Sequence, residues 1–111
     1  MESLIDKSFD DLNQMNLDIV NKFFEARKIH QLNNENCLKE NDFDDENPYD
    51  QYLLKVLKAY ESLDESERNL INNEFFFQSY HQWWTAIYSK ATFYRYKKEA
   101  MRKFLGAFYN A

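Results

Sequence analysis

The scarcity of turn-forming residues limits the fold of this chain most strongly, because its 111 residues include only one Gly and one Pro. Folds built from β-strands need a turn about every eight to twelve residues, and Gly and Pro supply many of those turns. The sequence therefore predicts an all-α fold, a helical bundle in which long helices are joined by few connections. Ten Phe, eight Tyr and two Trp provide enough buried area for the core of one small domain.

The amino-terminal part is predicted to be a long helix followed by an acidic linker. Apolar residues recur there at steps of three and four, which predicts an amphipathic helix over about residues 8–32. Residues 33–47 are dominated by Asn and acidic residues and show no period, which is typical of a linker. We therefore divide the chain into residues 1–47, a helix with its linker, and residues 48–111, a helical domain.

Four more helices are predicted in the second part, and local signals mark where three of them begin. Pro48 suits the first turn of a helix. Asp64, with Glu67 three residues later, forms a variant of the capping box. Ser89 is a favourable amino-terminal cap for the last helix. The predicted bounds are about 48–62, 65–77, 81–87 and 90–107.

The charge of the chain is distributed unevenly. The net charge is −5, yet residues 90–103 carry six basic residues against the single acid Glu99 and sum to +5. The other 97 residues therefore sum to −10. A basic helix in an acidic chain is typical either of a nucleic-acid-binding surface or of an ordinary solvated face that complements the helix dipole.

Metal sites, cofactors and catalysis are not indicated by any motif. The residues that could bind a transition metal lie far apart and lack the spacing of ligands: His30, Cys37 and His81. Acids alternate over residues 42–46 as at the start of a calcium-binding EF-hand loop, but Asn47 and Leu53 stand where that loop needs Gly and Glu. A single Gly cannot form a glycine-rich phosphate loop. We therefore expect no metal, no cofactor and no enzymatic activity.

Membrane insertion and secretion are not expected either. No stretch approaches the ~18 apolar residues that span a bilayer. The first residues include early acids and no apolar segment of the kind found in secretory signals. The single Cys37 cannot form an intrachain disulfide. A cytoplasmic protein is the expectation.

Three segments of the second half carry a family resemblance: LDESER at 63–68, HQWWTAI at 81–87 and SKATFYRYKKEAMRKFL at 89–105. Their order and spacing resemble region 4 of bacterial sigma-70-type factors and the related phage ArpU-type regulators, and the same ending resembles a small mycoplasmal family. The resemblance covers about 45 of the 111 residues. One position departs from it, because Ile87 stands in the turn where the family often has Gly.

The resemblance implies a helix-turn-helix whose last helix enters the major groove of double-stranded DNA. The residues that would face base edges or the nearest phosphate are Ser89, Lys90, Thr92, Tyr94 and Arg95. The residues that would meet phosphates farther along are Lys97, Lys98, Arg102 and Lys103. The expected function is that of a DNA-binding transcriptional regulator.

A protein-interaction module is the alternative that the sequence leaves open. Region 4 of sigma factors also rests on RNA polymerase, so the resemblance implies RNA polymerase or a sigma factor as a second kind of partner. A homodimer is a further expectation, because the aromatic stripe with Phe23 and Phe24 needs a cover and a dimer would supply a second DNA half-site. The chain is too short to be a complete sigma factor.

Overall fold

Helices make up every regular element of the chain in residues 7–34, 47–77 and 82–110, the ranges that the computed structural model describes. The elements are α1 (Phe9–Asn34), α2 (Pro48–Glu61), α3 (Glu65–Ile71), a π-helix (Asn72–Phe76), a 3-10 helix (Trp83–Ala86) and α4 (Lys90–Tyr109). The predicted all-α class is confirmed for these ranges. Cys37, His81 and the acids of residues 42–46 lie outside the described residues.

Side chains next to the helices explain where α2 and α3 begin. The Asn47 side chain accepts a hydrogen bond from the backbone N–H of Tyr49 at 2.9 Å, and Pro48 occupies the first turn of α2. The Asp64 carboxylate accepts from the backbone N–H of Glu67 at 2.9 Å, while the Glu67 carboxylate accepts from the backbone N–H of Asp64 at 3.0 Å. The predicted capping box is therefore complete.

The third predicted helix, 65–77, was expected to be one regular element, and here the structure differs. The α-helical pattern ends at Ile71, and a π-helix follows in which the backbone N–H of Phe77 donates to Asn72 O at 2.7 Å. A π-turn is wider than an α-turn, so successive side chains diverge by a smaller angle. Phe75 and Phe76 can therefore both turn inward, to full and partial burial, whereas Phe77 is 75% exposed.

The connection into α4 also differs from the expectation. The predicted helix 81–87 is a shorter 3-10 helix, and Gln82 before it is the one described residue with a left-handed backbone, at φ 63°. Ile87 keeps a φ of −112°, so the turn before α4 does not require Gly. At its other end α4 continues past Gly106 to Tyr109, which brings Phe108 into the core at 6% exposure.

A single apolar core joins α1 to the later helices. Helix α1 packs against α2, the π-helix and α4, and α4 also packs against α2 and α3. Phe23 is only 9% exposed, and Phe24 is partly buried against the core, so the chain itself covers part of the aromatic stripe for which a dimer was expected. The fully buried large side chains include Leu12, Leu53, Ile71, Phe75, Phe93, Met101, Phe104 and Leu105. None of the helices in the described ranges combines the length and apolar character needed to cross a bilayer.

Candidate nucleic-acid interface

The start of α4 is fixed by Ser89, as its sequence predicted. The Ser89 hydroxyl oxygen accepts a hydrogen bond from the backbone N–H of Thr92 at 3.3 Å, and its O–H lies 2.9 Å from the Thr92 hydroxyl. The backbone N–H of Phe93 donates to Ser89 O at 2.8 Å. The two hydroxyls predicted to contact DNA therefore lie together at the amino-terminal end of the helix.

Two tryptophans hold the 3-10 helix against α4. The Trp84 ring stacks on the Phe93 ring with centroids 4.4 Å apart and planes 6° apart. The Trp83 ring also contacts the Phe93 ring, edge-on, with centroids 6.0 Å apart. Trp83 also donates its Nε1–H to the Glu74 carboxylate at 2.9 Å, and Glu74 belongs to the π-helix. The turn before α4 is thus tied to two other elements, which fixes the direction in which α4 begins.

Three of the six basic residues of α4 are available to a ligand. Lys90 and Arg95 are exposed and Lys98 is half-buried, and none of them forms an ion pair with any residue in the described ranges. Ala91 is exposed between them and adds almost no bulk. Residues 91, 95 and 98 fall on one helical face at steps of four and three, so a groove of nucleic acid could approach this face closely.

Lys97 was predicted to contact phosphate, but its position does not fit that role. Its Nζ lies 2.8 Å from the Glu74 carboxylate, and the Lys97 side chain is only 13% exposed. The same Nζ lies 5.4 Å from the centroids of the Phe9 and Phe75 rings. A cation between aromatic faces and a carboxylate is already compensated within the fold. The structure thus gives Lys97 an internal, structural role.

The last two predicted phosphate contacts are paired with acids at the surface. Arg102 Nη1 lies 2.7 Å from Glu99 one turn earlier, and Lys103 Nζ lies 2.6 Å from the Glu67 carboxylate of α3. The hydrogen bond and charge of Glu67 raise the pKa of Lys103 above its ordinary value. Exposed pairs of this kind stabilise weakly, so phosphate can compete with them, but the acids reduce the positive potential of this half of α4.

Exposed apolar groups lie on α4 and in the turn before it, in the same segment as the three available cations. Ile87 is 62% exposed, Tyr94 41% and Tyr96 46%. The Arg95 guanidinium lies 5.4 Å from the centroid of the Tyr96 ring. The Tyr94 ring packs edge-on against Phe9, with ring centroids 5.4 Å apart, so its orientation is fixed by α1. The surface is therefore both basic and aromatic, which suits either nucleic acid or a protein partner.

A buried polar pair elsewhere was not predicted from the sequence. His30 Nδ1 lies 2.7 Å from the Asp50 carboxylate, and both side chains are at most 1% exposed. The two residues are 20 positions apart, so no local pattern indicated their contact. In the described ranges no group of three His, Cys, Asp or Glu side chains is arranged to hold a metal ion.

No protein-family model, curated protein or solved structure matches this chain. The geometry of α4 and its neighbours is therefore the basis for interpreting the site.

Proposed function

We propose that this chain is a DNA-binding transcriptional regulator of the helix-turn-helix type, with the amino-terminal half of α4 as its DNA-contacting surface. The observation that carries the proposal is that Arg95 and Lys98 share one helical face with the small Ala91, and that these two cations and Lys90 at the start of α4 form no ion pair with a described residue. The proposed contacts are Ser89, Lys90, Thr92, Tyr94, Arg95 and Lys98. Lys97 is left out because it is buried against Glu74.

Electrostatics support this orientation of the molecule on DNA. The chain carries −5 overall, and the part outside residues 90–103 carries −10. Like charge therefore repels the phosphate backbone from most of the surface and leaves α4 as the favourable approach. The paired residues Arg102 and Lys103 would add phosphate contacts only by exchanging Glu99 and Glu67 for phosphate oxygens.

The proposal is tested by fluorescence anisotropy with a pool of random duplex DNA at several salt concentrations. We expect a dissociation constant of roughly 10⁻⁴ to 10⁻⁶ M near physiological salt, weakening steeply as salt rises. The double variant Arg95→Gln/Lys98→Gln should lower the slope of log affinity against log salt by about 2, since each lost phosphate contact removes ~0.9.

The matched control is Lys28→Gln/Lys58→Gln, which removes the same two charges from exposed positions on α1 and α2. It should leave the slope within about 0.3 of the wild-type value, well below the ~0.9 of one phosphate contact. A wild-type chain that does not bind duplex DNA even at low salt would contradict the proposal. Equal slopes for Arg95→Gln/Lys98→Gln and the control would contradict the assignment of the surface.

A protein-interaction module is the second candidate, and the exposed Ile87, Tyr94 and Tyr96 favour it. RNA polymerase or a sigma factor would then be the partner. Gel filtration with purified RNA polymerase holoenzyme separates the two functions. A complex that Ile87→Asp abolishes and Arg95→Gln leaves intact supports the interaction module, whereas no complex with the wild-type chain excludes polymerase as the partner.

A further inference from the structure

An open groove of about 300 Å³ lies between α1, α2 and the π-helix. Five aromatic rings line it: Phe77, and a cluster formed by Phe23, Phe24, Tyr60 and Phe76. Phe76 meets the other three rings of the cluster edge-on, with centroid distances of 5.4, 6.3 and 5.9 Å. None of the described residues that line this aromatic groove belongs to α4. The groove is therefore separate from the proposed DNA-contacting surface.

The polar groups of the aromatic groove are few and lie beside the rings. Arg27 is its only charged lining residue among those described, and it is exposed and forms no ion pair with a described residue. The Asn72 amide, also in the lining, donates a hydrogen bond to the Tyr60 hydroxyl. A guanidinium beside an apolar surface is a favourable site for a carboxylate, which it can bind through two parallel hydrogen bonds.

The volume of the aromatic groove and the chemistry of its lining residues indicate which class of ligand it could bind. Small-molecule sites begin at about 300 Å³ and are mostly apolar, with a few polar groups that orient the ligand. Aromatic rings pack favourably edge-on against one another, so a groove lined by rings favours a ligand that carries a ring of its own. We propose that the aromatic groove binds a small aromatic carboxylate, with its ring among Phe23, Phe24 and Phe76 and its carboxylate on Arg27.

The π-helix connects this groove to α4. Phe76 lines the groove, while Glu74 of the same turn contacts Trp83 and Lys97 on the other side. A ligand that presses on Phe76 therefore acts on the turn that holds the 3-10 helix and α4 together. The effect on DNA affinity rests on the proposed function, whereas the effect on Trp83 does not.

Binding is tested by titrating the ¹⁵N-labelled chain with 3-phenylpropionate and following amide resonances. We expect saturable shifts at Phe24, Leu57 and Phe77, and binding about tenfold weaker in Arg27→Gln, because that variant loses a charge-assisted pair. The matched control is Lys28→Gln, the adjacent exposed residue, which does not line the groove. The neutral 3-phenylpropanamide should also bind about tenfold more weakly.

Absence of saturable shifts at the groove would overturn the proposal. Equal affinity for the acid and the amide, or an unchanged affinity in Arg27→Gln, would overturn the assignment of a carboxylate ligand and point instead to an apolar side chain of a protein. Each of these outcomes is read without DNA, so it is independent of the proposed function.

The connection to α4 is read from the indole N–H resonance of Trp83, identified by its loss in Trp83→Phe. It should shift along the same binding curve as the groove amides, since the Trp83 Nε1–H donates to Glu74. A Trp83 resonance that stays fixed while the groove saturates would overturn the connection. In the wild-type chain, 3-phenylpropionate should also change the affinity for duplex DNA, and Arg27→Gln should remove that change. Absence of DNA binding by the wild-type chain without ligand, with the groove shifts intact, would instead contradict the proposed function.

Discussion

The buried pair of His30 and Asp50 shows how one contact can join elements that are distant in sequence. His30 lies near the end of α1 and Asp50 in the first turn of α2, and both are excluded from water. A buried polar group is costly unless it keeps its partner. The pair therefore specifies how α2 begins relative to α1.

Removing the Asp50 carboxylate should be destabilising. We expect Asp50→Ala to lower the free energy of unfolding by roughly 1 to 3 kcal/mol, because it removes a buried hydrogen-bond partner of the His30 ring. Urea unfolding measures the change. Glu61→Ala, an exposed acid at the end of α2, is the control and should stay within about 0.5 kcal/mol of wild type. A loss below about 1 kcal/mol in Asp50→Ala would show that the pair does not hold the helices together.

Tyr52 should ionise at a higher pH than a free phenol. Two causes raise the pKa of Tyr52 to about 12: burial, which is the larger, and the charge of Tyr109. The Tyr52 O–H also donates a hydrogen bond to Ile19 O at 2.9 Å. The unfolded phenol ionises near pH 10. The folded pKa is thus the higher one, so the stability that the neutral phenol contributes is complete below about pH 10 and is lost as the pH rises toward 12.

The pH at which Tyr52 ionises is measured from the absorbance of phenolate during a pH titration. The wild-type chain should show a late phenol ionisation that disappears in Tyr52→Phe. Tyr109→Phe, which removes the second cause at an exposed position, should move the late ionisation to lower pH. If all eight tyrosines ionised together near pH 10, Tyr52 would not be buried as described.

The contacts of some residues could be predicted from the sequence, and the contacts of others could not. Ser89 and Asp64 were predicted correctly because a cap acts on backbone groups two or three positions away. The contacts of Lys97 could not be predicted, because they are supplied by Glu74 and Phe9, which are distant in sequence. The periodicity of α4 allowed Lys97 on either face, and only packing decided between them.

At the scale of elements, the capping box of α3 makes the helix sensitive to acid. The backbone N–H of Glu67, and then the Ser66 hydroxyl, donate to the Asp64 carboxylate and hold its pKa below the ordinary value. The folded pKa is the lower one, so the contribution of Asp64 is present above its unfolded pKa, about 4, and is lost as the pH falls through the folded pKa.

The expected result is a pH-dependent difference between wild type and Asp64→Ala. The variant should have a lower melting temperature than wild type at pH 6. The two melting temperatures should converge as the pH falls toward 2, because a protonated Asp64 side chain no longer carries the negative charge that stabilises the start of α3. Thermal unfolding by circular dichroism measures both. Glu65→Ala changes a neighbouring exposed acid of the same helix and is the control. A difference that is constant with pH would contradict the role of the carboxylate charge.

Capped helix starts were the most predictable part of the fold, since α2 begins at Pro48 and α4 at Lys90 as their caps indicated. The π-helix could not be predicted, because three consecutive Phe residues fit several helical phases equally well. Its geometry is determined by contacts with distant residues, such as Phe76 with Phe104 at a centroid distance of 6.4 Å. The aromatic groove depends on this element and was therefore not predicted either.

At the scale of the whole molecule, the shared core predicts cooperative unfolding. Leu12 of α1 is fully buried, in the same core as Phe93 and Phe104 of α4. Leu12→Ala should therefore lower the free energy of unfolding by roughly 2 to 5 kcal/mol. Tryptophan fluorescence, which reports on the 3-10 helix and α4, should change in the same urea transition as far-ultraviolet circular dichroism. Two separate transitions would instead show that α1 unfolds independently.

The π-helix also affects where the length of this chain can change during evolution. A π-turn accommodates one residue more than the α-turn it replaces, so the segment Asn72–Phe76 is a place where a lineage can gain or lose a single residue. The same event inside α2 would rotate every later side chain of that helix by about 100° and expose Val56 or Leu53. Among the helices of the described ranges, a single-residue insertion or deletion should therefore be tolerated better at this turn than inside α2.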